Sequence, residues 1–183
     1  MLADEVDYVV GVDTHRDQHV LAVVVASSGG VISQRSVRSN ARGYAEAMRF
    51  AGERPELVAG IISIAGTLES TCNSTAPIRL LQLRGVKDNT VPYDGIAFSH
   101  FAHAPLTSIA TSLSTFAKIN NCKGNRQTTN TLGVFDAYAG CRAGGGVDFV
   151  TLSRIGHVWP TVANSGYDTS AAVWAFMNPT THK

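Results

Sequence analysis

With 183 residues, 44% of them apolar and 16% charged, the chain can bury one sizeable core and has the balance of an ordinary globular protein. Its net charge is +1, and up to Arg54 six Arg stand against seven acidic residues, which argues against the basic footprint of a nucleic-acid binder. The longest apolar runs, Val20–Ser27 and Leu57–Ala65, are too short to span a bilayer, and Asp4, Glu5 and Asp7 sit where a signal peptide needs cations, so a cytoplasmic chain with no membrane partner is expected.

In chain order, Asp7–Asp13 and His19–Ser27 are Val-rich runs, Ser28-Gly29-Gly30 is a turn signal, and Val31–Val37 alternates apolar with polar. They predict a three-stranded antiparallel meander. Asn40 caps a predicted helix over Ala41–Ala51, with Tyr44, Met48 and Ala51 on one face, and Gly-Glu-Arg-Pro ends it. The pattern is βββα, and its first strand ends in Gly11-Val12-Asp13. His15 and His19 stand four apart, but a metal pair at that spacing needs a helix and this is a strand-turn-strand region.

Tyr8–Val25, then Gly-Gly-Val-Ile and Asn-Ala-Arg-Gly-Tyr, resembles the start of DEDD-type transposases of the insertion-sequence 110 family, over about residues 6–54. The resemblance implies a ribonuclease-H-like βββα segment with DNA as partner, and places that family's first catalytic Asp at Asp13. Two-metal nucleases need several converging carboxylates. The following strand, Leu57–Ala65, offers Ser63 and Ile64 but no acid, and Glu69 falls beyond it. Asp13 is therefore expected as a vestigial acid.

Further along, Leu57–Ala65, Ile78–Leu83 and Val147–Leu152 read as short buried strands, and Pro105–Ile119 and Thr169–Met177 as helices. Their alternation predicts an α/β fold with a parallel sheet and functional loops at the strands' C-terminal ends. Asp88 and His157 each lie a few residues past a strand, in the chain order that the acid and base of a Ser-Asp-His triad require. Asp94 is the alternative carboxylate. The sequence contains no Gly-x-Ser-x-Gly, and Ser63, Ser70 and Ser74 are the serines upstream of Asp88 that could replace the usual nucleophile.

Leu57–Leu68, Lys87–Gly95, Asn121-Cys, Tyr138-Ala-Gly-Cys, Gly156-His-Val-Trp-Pro and Asp168–Phe176 resemble the C-terminal half of polyhydroxybutyrate depolymerases and feruloyl-esterase-type α/β-hydrolases. The resemblance covers about 128 residues. It implies an ester substrate, Asp88 orienting His157, and Trp159 and Pro160 shaping the loop beside the acyl pocket. It also places Cys122 and Cys141 at positions paired in some relatives. In a cytoplasmic chain they are expected as reduced thiols. Arg84 stands where these hydrolases usually carry His, and Ile96 where a second Gly is common. No Cys-x-x-Cys occurs, and no metal or cofactor is expected.

The expected organisation is thus a transposase-like segment over 1–54 joined, within about residues 50–57, to an incomplete hydrolase-like segment over 55–183. The expected function is a catalytically incomplete serine esterase. A remnant transposase or a non-catalytic interaction protein are the alternatives.

Overall fold

A strand buried on both faces must be apolar almost throughout, and Leu80-Leu-Gln-Leu and Val147–Leu152 come close to that. They become the centre of the larger sheet. The computed structural model describes residues 8–14, 18–25, 28, 30–38, 46, 60–68, 72, 74–99 and 104–177. These belong to two compact units, Met1–Val58 with Glu69–Cys72 and Phe98–Pro105, and Ala59–Leu68 with Asn73–Ala97 and Leu106–Lys183.

In the first unit β1 (Tyr8–Thr14), β2 (Gln18–Val25) and β3 (Val31–Arg38) form an antiparallel meander in that order. Asp13 of β1 stands opposite Val20, and Thr14 opposite His19. The Ser28 side chain accepts the Gly30 N–H at 3.3 Å and so tightens the turn into β3. Leu21 and Val37 share one face by the period of two, and both are buried, whereas Val31 and Ile32 at the start of β3 are exposed. Arg35 and Glu46 approach to 3.6 Å as a half-exposed ion pair of little energetic weight. The helix predicted over Ala41–Ala51 lies outside the described residues except for Glu46, which is helical.

The second unit holds five strands: β4 (Gly60–Ile64), β5 (Arg79–Gly85), β8 (Gly124–Thr129), β9 (Gly133–Ala139) and β10 (Gly146–Leu152). Their order is β4-β5-β10-β9-β8. β4, β5 and β10 run parallel, while β9 and β8 run antiparallel to their neighbours. The sheet is therefore mixed, which corrects the expectation of a parallel sheet. Gly124–Thr129 is polar and exposed along its whole length, so it carries no apolar period to announce a strand. Its turn is made by Asn130, whose side chain accepts the N–H groups of Leu132 and Gly133 at 2.8 and 3.3 Å.

Two short strands, β6 (Ile96–Ser99) and β7 (Ala104–Leu106), precede helix α1 (Ile109–Ile119). The predicted helix start at Pro105 is corrected by this. Pro105 is extended within β7, and the helix begins only after Ser108, whose hydroxyl accepts the Thr111 N–H at 3.1 Å as an N-cap. Helices α2 (Val162–Ser165) and α3 (Thr169–Met177) close the chain, α3 with the predicted bounds. No helix among the described residues is long and apolar enough to cross a membrane.

Leu81, Leu83, Val150 and Leu152 pack with Ile155 and with Phe176 of α3 on one face of the sheet. On strand β5 the alternate residues Leu80, Gln82 and Arg84 are buried too, and Ile109, Leu113 and Phe116 form the buried stripe of α1. Cys122 and Cys141 are joined by a disulfide, not reduced as expected. Cys122 precedes β8 and Cys141 follows β9, and the pairing of Gly124 with Ala139 brings the two ends of that hairpin together.

Asn120, at the end of α1, is fully buried and clamps the N-terminal ends of β5 and β10. Its Oδ1 accepts the Ile78 N–H at 2.9 Å, and its Nδ2 donates to Ile78 O at 2.7 Å and Gly146 O at 3.2 Å. Asn120→Ala leaves these backbone groups without partners and is expected to cost about 3 kcal/mol in urea unfolding. The exposed Asn125→Ala is expected to stay within about 0.5 kcal/mol of the parent.

Candidate functional site

β5 and β10 are parallel neighbours in register, with Gly85 opposite Leu152, so the loops that leave their C-terminal ends emerge side by side. Main-chain bonds lace the two loops together. The Val86 N–H donates to Leu152 O at 2.9 Å and the Lys87 N–H to Ile155 O at 3.0 Å, while Asp88 N–H turns back to Gly85 O at 3.2 Å. Only glycine fits at 85, where a Cβ would stand 2.1 Å from Ile155 O. At Gly156 a Cβ would stand 3.0 Å from Lys87 O. The close approach is thus a property of the two glycines.

That approach brings Asp88 and His157 together. His157 Nδ1 lies 3.1 Å from Asp88 Oδ2, and the carboxylate's other oxygen accepts the N–H groups of Thr90 and Val91, each at 2.9 Å. The Asp88 side chain has no exposure, and that of His157 is 37% exposed. A sealed carboxylate with donors on both oxygens is compatible with its negative charge. By accepting from Nδ1 it selects the tautomer that leaves the lone pair on Nε2, where a general base needs it. The exposed Asp94 does not hold the ring; Asp88 does.

Beyond the ring the loop is fixed by its own polar atoms. Thr161 and Asn164 form a reciprocal cap on α2, Asn164 Nδ2 donates to Trp159 O at 2.9 Å, and Thr169 Oγ1 donates to Pro160 O at 2.9 Å. Val158, Trp159 and Val162 stand exposed in this loop, and Val86 in the acid loop. The result is a polar pair with an apolar rim.

Among the described residues, the serines named from sequence make no hydrogen bond to His157. Ser63 is the fourth residue of β4, Ser74 donates its hydroxyl to Ala76 O at 3.0 Å, and neither is hydrogen-bonded to His157, whereas Ser70 lies outside the described residues. Asp13 stays in the meander and His15 lies outside the described residues, and among the described residues no three His, Cys, Asp or Glu side chains gather to hold a metal ion. Cys72 carries a free thiol.

A separate cavity of about 360 Å³ opens toward the N-terminal half of the parallel strands, lined by Arg79, Asp148, Phe135, Tyr167 and Phe176 among others. Burial pushes the Asp148 carboxyl up from its usual range, with Arg79 opposing the shift, and burial also raises the Tyr167 hydroxyl. Arg79 lies over the Phe176 ring at 4.3 Å. Sequence reading missed this cavity because Arg79 and Asp148 are isolated residues at strand positions and Tyr167 lies between α2 and α3.

No family model, curated protein or solved structure matches the chain. The reading of the site therefore rests on its chemistry.

Because Asp88 is sealed and serves three donors while His157 is partly in water, the two truncations should differ. Asp88→Ala is expected to destabilise the chain by roughly 3 kcal/mol and His157→Ala by less than about 1 kcal/mol. Equal costs in urea titrations would contradict this picture of the pair.

Proposed function

We propose that residues 55–183 carry the acid and the base of a serine-hydrolase site of the esterase kind, Asp88 orienting His157, without a nucleophile set to use them. The observation that carries this reading is the 3.1 Å contact between His157 Nδ1 and a fully sealed Asp88 carboxylate. In a triad such a carboxylate holds the imidazole in the right tautomer and steadies the imidazolium that forms. The apolar residues Val158 and Trp159 beside the ring suit the acyl or alcohol part of an ester, and the resemblance of these loops to the depolymerase and feruloyl-esterase type points to the same substrate class.

Chemistry limits what this pair can do alone. A His without a hydroxyl or thiol to deprotonate can at most activate water, and loss of the nucleophile in a comparable hydrolase lowers kcat by about 10⁶. In this proposal the meander over residues 8–38 is the start of a ribonuclease-H-like transposase segment, and Asp13 is the relic of its first acid. Phosphoryl transfer by two metals needs more carboxylates than Asp13 supplies.

Purified full-length chain is expected to hydrolyse p-nitrophenyl butyrate and hydroxycinnamoyl esters no faster than buffer in the steady state. A rate well above buffer that disappears in His157→Ala would contradict the proposal of an unused pair and would demand a nucleophile within the chain.

A further inference from the structure

Arg84 is, with Ile96, one of two residues by which this stretch departs from the hydrolases it resembles, and it occupies an unusual environment. It is 6% exposed, the sixth residue of β5, directly before the glycine that lets the two loops meet. Its Nε donates to Gly85 O at 3.3 Å, the same carbonyl that accepts the Asp88 N–H. Its guanidinium carbon lies 5.2 Å from the centre of the Tyr93 ring, and Tyr93 in turn packs against Phe149.

Among the described residues Arg84 has no anionic partner. The ion pairs among the described residues are Arg35 with Glu46 and His157 with Asp88, and Arg84 joins neither. A buried cation is costly unless it is paired, and an aromatic face compensates only part of that cost. The terminal nitrogens Nη1 and Nη2 hydrogen-bond to nothing among the described residues. They are not sealed from solvent in the way that Gln82 Oε1 and Arg142 Nε are. Four N–H donors in a planar fork thus remain without a partner among the described residues, near the end of the strand that leads into the Asp88 loop.

We propose that Arg84 is the anchor of an anion subsite that takes the carboxylate of a small organic acid, with the apolar part of the acid lying against Tyr93. The planar fork matches a carboxylate through two parallel bonds. A single planar cation stacked on a ring suits a flat monoanion better than a tetrahedral dianion. The subsite needs no nucleophile, so it stands or falls independently of ester hydrolysis.

The test is a titration of the full-length chain, labelled with ¹⁵N-arginine, with sodium benzoate and with sodium acetate, followed through the arginine Nε–H resonances. One resonance is expected to shift saturably with either carboxylate, to be absent from Arg84→Gln, and to stay in place in sodium chloride of equal ionic strength. Arg84→Lys keeps the charge without the fork and is expected to weaken benzoate binding at least tenfold, read from the ligand's own line broadening. The absence of any saturable arginine shift in the parent chain would overturn the proposal, whether or not the variants fold. So would a chloride response equal to that of the carboxylates, or benzoate binding unchanged in Arg84→Lys.

Discussion

A carboxylate removed from water must find donors, and the way Asp88 finds three of them organises the larger unit around it. Two are backbone N–H groups of its own loop, Thr90 and Val91, and the third is the His157 ring. The first two require a tight turn after β5. The third requires that the loop after β10 come within contact distance, which the parallel register and the glycines at 85 and 156 allow. Replacing either loop's conformation would leave a buried charge with too few partners, a penalty of several kcal/mol on a domain whose whole stability is about 5–15 kcal/mol.

The same logic explains how much was legible in the sequence. β5, β10 and α3 were legible because burial on both faces, or against a sheet, writes itself as dense apolar sequence. Chain order and strand ends made Asp88 and His157 candidates, and the resemblance of their loops to the hydrolases favoured Asp88 over Asp94. The β8–β9 hairpin was not legible, because Gly-Asn-Arg-Gln-Thr-Thr is an exposed edge whose side chains need no apolar alternation. The start of α1 was misplaced because Pro105 suits a helix's first turn as well as an extended strand. The disulfide depended on that same hidden hairpin, which alone brings Cys122 to Cys141.

Arg84 illustrates a different limit. Charge in a sequence is read as surface, and nothing in Leu-Gln-Leu-Arg-Gly says that both Gln82 and Arg84 point into covered space on the α1 side of β5. Only the strand's position between two neighbours reveals it. A polar residue so placed is either satisfied within the protein, as Asn120 is, or waits for a partner from outside. The two ends of β5 differ in this respect, with a saturated clamp at its start and, at its end, a guanidinium that has no ion-pair partner among the described residues.

The central claim is that the loops carrying Asp88 and His157 are locked to each other by their main chains. Amide hydrogen exchange on the intact chain measures this most directly, since the N–H groups of Val86 and Lys87 bridge to the β10 loop while those of Asp88 and Val91 hold the turn of the acid loop itself. The account predicts that these four exchange as slowly as the amides of β5 itself. Exchange at the rate of an open loop, with β5 still protected, would contradict it.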